Sequence, residues 1–108
     1  MQINEFQKLS TRTVKLDHTK EQMISNMIFG ANGEIGEVTN LLKKHLFQGH
    51  SLDVAKLEEE LGDVMFYLVN LATIFNLDME NILDINIEKL KKRYPNGFES
   101  ERSINRNE

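Results

Sequence analysis

Two stretches of this chain repeat apolar residues at intervals of three and four over distances that only long, packed helices accommodate. In the first, Ile24, Ile28, Ala31, Ile35, Val38 and Leu42 form the series; in the second, Val54, Leu57, Leu61, Val64, Leu68, Leu71 and Phe75 do so. Such spacing is a helical packing seam. It predicts one helix from about Lys20 to about Leu46 and another from about Leu52 to Phe75. Each helix also carries an acid-x-x-acid pair, Glu34 with Glu37 and Glu60 with Asp63. Residues three apart share a helix face, roughly 5–6 Å apart at Cβ. If the two helices pack side by side, four carboxylates converge. Like charges in a partly buried patch require a counter-charge. An all-oxygen donor set suits Mg²⁺, with Mn²⁺ as a substitute.

Three glycines, Gly30, Gly33 and Gly36, lie inside the first long helix. Each costs about 1 kcal/mol relative to alanine there. Either the helix is interrupted, or the missing side chains let a neighbouring helix or a ligand come close. Glu34 and Glu37 are interleaved with these glycines, which favours the second reading.

The flanks are shorter. Residues 3–14 predict an amphipathic helix with Ile3, Phe6, Leu9 and Thr13 facing a core. Val14–Thr19 reads as a connection, with Thr19 and Gln22 as a capping box. Phe47–His50 reads as a loop, Ser51 as the next N-cap, and Asp53 as a first-turn acid. Asn76–Asp78 breaks the chain again, with Asp78 capping a last helix from about Met79 to Arg93. Its expected inner face is Leu83, Ile87, Leu90 and Tyr94, with Asn86, Lys89 and Arg93 as a second stripe. Pro95-Asn96-Gly97 ends it. The tail, 99–108, is polar and expected to be mobile or to reach a neighbour.

The expected architecture is therefore all-α, a bundle of about four helices within residues 1–98. After Asp63 the second long helix is apolar nearly all round, from Val64 to Val69. A chain of 108 residues has little surface with which to cover it, so a second subunit is expected to complete the bundle. The net charge of −4 argues against a general nucleic-acid-binding surface. Without cysteine there are no disulfides, thiolate metal sites or cysteine nucleophile. No apolar run reaches the ~18 residues of a membrane span, and no signal-peptide core is present. A cytoplasmic protein is expected.

An acid-x-x-acid pair alone is commonly a solvated helix surface. Here one pair is embedded among glycines and the other directly precedes the most apolar part of the chain, where carboxylates need partners. Lys56, one turn before Glu60, with Lys89 and Arg93 across helices, would make a purely structural ion-pair network. Asn86, Lys89 and Arg93 are equally what a polyphosphate requires, arginine binding phosphate through two parallel bonds. A di-iron bundle would place His at the positions of Glu37 and Asp63. His18, His45 and His50 lie outside both pairs.

Gly33-Glu34-Ile35-Gly36-Glu37-Val38, then Glu59-Glu60-Leu61-Gly62-Asp63-Val64, then Asn86 through Pro95, resemble in order the motifs of the MazG-like nucleoside triphosphate pyrophosphohydrolases. These belong to the all-α NTP pyrophosphatase superfamily, with dimeric dUTPases and phosphoribosyl-ATP pyrophosphohydrolases as relatives. The resemblance covers about residues 24–98. It implies Mg²⁺-dependent hydrolysis of a nucleoside triphosphate to monophosphate and pyrophosphate. It implies metal ligation by Glu34, Glu37, Glu60 and Asp63, and phosphate contacts from Lys56, Lys89 and Arg93 beside Asn86. Glu34 or Glu37 would activate water. It also implies a homodimer or homotetramer, and a nucleobase near Gln7, Arg12 or Asn26. A related pyrophosphohydrolase on another substrate and a catalytically silent helical interaction module are the competing readings.

Overall fold

The computed structural model describes residues 1–14 and 17–106. Lys15 and Leu16 of the expected connection, and Asn107 and Glu108 of the tail, lie outside the described residues. Among the described residues five α-helices run in chain order: α1 (Ile3–Ser10), α2 (Lys20–Phe47), α3 (Val54–Ile74), α4 (Met79–Arg93) and α5 (Ser100–Ile104). No strand occurs among the described residues, and the all-α class is as expected. No described helix is long and apolar enough to cross a membrane.

The helix ends follow local chemistry. Thr19 begins α2 with the reciprocal capping box: Gln22 N–H donates to Thr19 Oγ1 at 3.1 Å, and Thr19 N–H donates to Gln22 Oε1 at 2.9 Å. At the other end Gly49 takes φ +72°, the left-handed conformation that closes a helix C-terminus, and His50 N–H donates back to the Lys44 carbonyl. Asp78 caps α4 through Asn81 N–H. That bond holds its carboxyl below the usual aspartate range, helped by Asn4.

Two boundaries differ from expectation. The cap of α3 is Asp53, which accepts from Lys56 N–H at 3.0 Å, rather than Ser51. A carboxylate makes the stronger, charge-assisted cap, so the helix begins at Val54. The first helix ends at Ser10 and tightens into a 3₁₀ turn over Thr11–Thr13. The hydroxyls of Ser10, Thr11 and Thr13 donate to carbonyls three residues back and compete with helical continuation. Thr13 is consequently exposed.

α2 and α3 are the principal packed pair. At their contact Gly30 lies under the Tyr67 ring, and a Cβ there would overlap ring carbons. Of the three glycines, Gly30 therefore permits close approach, while added carbons at Gly33 and Gly36 would meet nothing. α1 packs on α3 and α4. Val69, Ala72 and Met79 form a closed apolar cluster against Ile3, Phe6, Met65 and Ile82. Gln7 staples this corner: its amide donates to Thr73 Oγ1 and the Leu77 carbonyl, and its oxygen accepts from Met79 N–H.

The expected inner face of α4 is a further difference. Leu83, Ile87 and Leu90 are exposed, and the residues that α4 buries within the chain are Met79 and, in part, Ile82. The tail differs too: α5 folds back, and Arg102 Nε donates to the Arg93 carbonyl at 2.7 Å, capping the end of α4. The protomer is open. Its radius of gyration is 17.3 Å, against about 13 Å for a compact domain of this length.

Candidate metal centre on α2 and α3

Glu34 projects from α2 one turn beyond Gly30, where the two helices touch. Glu60 and Asp63 project from α3 two turns and one turn before Tyr67, respectively. The helix–helix contact thus aligns the acids. One carboxylate oxygen from each of Glu34, Glu60 and Asp63 lies within 4.8 Å of the others. Glu60 is buried, at 5% exposure, while Glu34 and Asp63 are half-buried. Glu37, the fourth expected acid, is exposed at the edge of this trio; its charge still acts on Glu34.

Electrostatics show how strained the cluster is without a cation. Glu34 is pushed up from 4.5 to about 7, first by its hydrogen bond with Glu60, then by burial, then by the charges of Glu60, Asp63 and Glu37. Near neutral pH it therefore retains a proton part of the time. Glu60 moves the other way, lowered by the hydrogen bond from Glu34 and then by Lys56. Lys56 Nζ sits 3.1 Å from Glu60 Oε1 and 3.8 Å from Glu59, and its own pKa is raised by that pairing.

One lysine cannot balance three carboxylates. With Glu34 ionised, Glu60 Oε2 is buried with no hydrogen-bond partner. An unsatisfied carboxylate oxygen in such a place costs free energy, and an ion-pair network built on Lys56 leaves it unsatisfied. The residues fit a hard dication: oxygen donors only, from two helices, with one buried oxygen already free to coordinate.

α4 does not join this cluster within the chain. The charges acting on Glu34, Lys56 and Glu60 all come from α2 and α3. Asn86 and Lys89 are exposed, and Arg93 lines a separate cleft with Lys92, Arg102 and Arg106. Gln7, expected near a nucleobase, is instead the structural staple described above. Asn26 lines a cavity of about 280 Å³ with His18, Met23, Met27, Phe66 and Tyr67. Along the α2–α3 groove this cavity begins beside Tyr67, one turn from Asp63. Asn70 and Ser10 escaped the sequence reading: both are buried and bonded to each other at 3.1 Å. The signal available was a polar residue set between Val69 and Leu71.

A helical pair that converges three carboxylates on one buried, unsatisfied oxygen defines an all-α protein with a carboxylate centre able to hold a cation. The family model for the MazG nucleotide pyrophosphohydrolase domain matches residues 22–98, a span that contains both acid pairs and α4. The chain belongs to that family. It is also similar to the Gene 37 protein of Mycobacterium phage L5, with 32% identity over 78 residues, covering 68% of each chain. No solved structure gives a significant match.

Proposed function

We propose that this chain is a Mg²⁺-dependent nucleoside triphosphate pyrophosphohydrolase that converts a (d)NTP to (d)NMP and pyrophosphate, acting in the cytoplasm on the nucleotide pool. The observation that carries the reading is the buried, partnerless Glu60 Oε2 inside a carboxylate trio, in a chain of the MazG family.

Glu34, Glu60 and Asp63, with Glu37 swinging in from the edge, would hold Mg²⁺ or Mn²⁺. A bound dication supplies neutralisation of the charge that develops on phosphate oxygens. Glu34 or Glu37 orients the attacking water and accepts its proton. A carboxylate tuned toward neutral pH is suited to that task, and Glu34 is so tuned. Water attacks the α-phosphorus, the bond to the bridging oxygen breaks, and pyrophosphate leaves with that oxygen. Lys56, Lys89 and Arg93, with Asn86, hold the triphosphate and the departing pyrophosphate by charge-assisted hydrogen bonds. The cavity at Asn26, Phe66 and Tyr67 accepts the nucleobase. The exposed apolar faces are covered in a homodimer or homotetramer.

The test is pyrophosphate release from the common NTPs and dNTPs with and without Mg²⁺. Release that requires Mg²⁺ supports the reading. Release from none, with no thermal shift from Mg²⁺ plus a non-hydrolysable nucleotide, overturns it.

A further inference from the structure

Past the cavity at Asn26 and Tyr67 lies a second chamber, of about 260 Å³. The two share Val14, Met23 and Met27 in their walls, so they adjoin. Thr11, Asn70, Thr73 and Ile74 form the far end. The order along α3 is fixed by the chain: Asp63, then Tyr67 four residues on, then Asn70 seven residues on. At 1.5 Å per residue these steps are about 6 Å and about 10 Å along the helix axis. A ligand anchored at the carboxylates meets Tyr67 first and the Asn70 chamber last.

The chamber is apolar along Val14, Met23, Met27 and Ile74, and its side-chain polar groups are acceptors. Asn70 is 2% exposed. Its amide nitrogen donates to Ser10 Oγ at 3.1 Å and to the Phe66 carbonyl at 2.8 Å. A carbonyl only accepts, so the nitrogen must face Phe66 and the amide oxygen is the atom left over. No described residue donates to that oxygen. The hydroxyl protons nearby are also spent. Thr11 Oγ1 donates to the Lys8 carbonyl at 2.7 Å, and Thr73 Oγ1 to the Val69 carbonyl at 3.1 Å. The Val14 N–H is held by the Thr11 carbonyl. A buried acceptor without a donor costs free energy, and a ligand N–H recovers it.

We propose that this chamber receives the exocyclic amino group of a nucleobase, with Asn70 Oδ1 as its acceptor, so that the substrate class is nucleotides of cytosine or adenine. Both bases carry an amino donor where thymine, uracil and guanine carry a carbonyl oxygen. That oxygen would turn its lone pairs toward the lone pairs of Asn70 and Thr11, and nothing on the wall would donate to it. A site that hydrogen-bonds a substrate N–H rejects the analogue lacking it, because its own buried group is then left unpaired. The proposal rests on the pyrophosphohydrolase reading for the orientation of the nucleotide, phosphates at the carboxylates and base toward Tyr67.

Matched pairs decide it. In dCTP and dUTP, and in ATP and ITP, an amino group is exchanged for a carbonyl at the position in question. Binding of their non-hydrolysable analogues to the wild-type chain with Mg²⁺, measured by titration calorimetry, is expected to favour the amino member by about tenfold or more. Equal binding, a preference for the carbonyl member, or no binding of either overturns the proposal. Asn70→Ala should bring the ratio close to one. Because both ligands are measured on the same preparation, a partly unfolded variant leaves the ratio interpretable. Met23→Lys is the converse change. Lysine offers donors only, and Met23 is half-buried, so its ammonium can reach both chamber and solvent. The ratio should move toward the carbonyl member. A wild-type ratio in both variants would assign Asn70 to the fold alone. If no triphosphate released pyrophosphate while the analogues still bound with the amino preference, the pyrophosphohydrolase reading would fail and the chamber would stand. Release at equal kcat/KM within each pair would sink the chamber and leave the activity.

Discussion

The two halves of α3 handle buried polarity in opposite ways. In the C-terminal half, Asn70 is sealed at 2% exposure, and its amide donates to Ser10 Oγ and to the Phe66 carbonyl. In the N-terminal half, Glu60 is nearly as buried, yet one of its oxygens has no partner. A buried amide with its N–H groups satisfied fixes how helices meet. An unsatisfied buried carboxylate destabilises the folded chain and is retained where a ligand makes up the deficit. The first group serves the fold and the second is the one we propose serves a cation, and substitutions separate the two roles.

Glu60→Gln gives the largest effect. It removes a proposed cation ligand while keeping shape, and under the proposed function Mg²⁺-dependent turnover is expected to fall by about 10²-fold or more, in the range seen when one preorganised electrostatic group is lost. Thermal stability of the metal-free chain stays level or rises, because a charge leaves a crowded cluster. A loss of stability as large as the loss of activity would break the comparison. Asn70→Ala should do the reverse. Chemical denaturation is expected to show about 1–3 kcal/mol of destabilisation from the unpaired partners and lost packing, with Mn²⁺ affinity per folded molecule unchanged.

Protons test the acidic half more gently. Glu34 has a folded pKa of about 7 against 4.5 ordinarily, so the folded, metal-free chain holds the proton more tightly than the unfolded one. That contribution to stability is complete below 4.5 and is lost as pH rises through 7. Glu60, lowered below 4.5, stays ionised across this window. Cation binding must expel the Glu34 proton, so Mn²⁺ affinity measured by titration calorimetry should weaken about tenfold per pH unit below 7. Mg²⁺ should flatten the pH dependence of the melting temperature. Affinity independent of pH would remove Glu34 from the ligand set.

The glycines sharpen the contrast along the same groove. Gly30→Ala is expected to cost about 1–3 kcal/mol by overpacking against Tyr67. Gly33→Ala meets nothing and should stabilise α2 by up to about 1 kcal/mol. Thermal melts of the two variants should therefore move in opposite directions. The smallest effect is at the start of α3, where Asp53→Ala should cost about 1 kcal/mol and Ser51→Ala within about 0.5 kcal/mol of nothing.

What the sequence by itself determined is local. The capping box at Thr19, the cap at Asp78, the spans of α2 and α4 and the acid-x-x-acid pairs depend on neighbours three or four residues away, so they were legible in order along the chain. Two cap-competent residues stood near the start of α3, and propensity alone did not choose Asp53 over Ser51. Only the tertiary structure decided that Tyr67 covers Gly30, that Ser10 meets Asn70 across sixty residues, and that Gln7 is a staple instead of a base reader. It also decided that Glu60 is buried while the apolar stripe of α4 is left open. Helical periodicity names the face that will be covered, but it carries no information about which chain does the covering; that choice is made by packing between segments far apart in sequence.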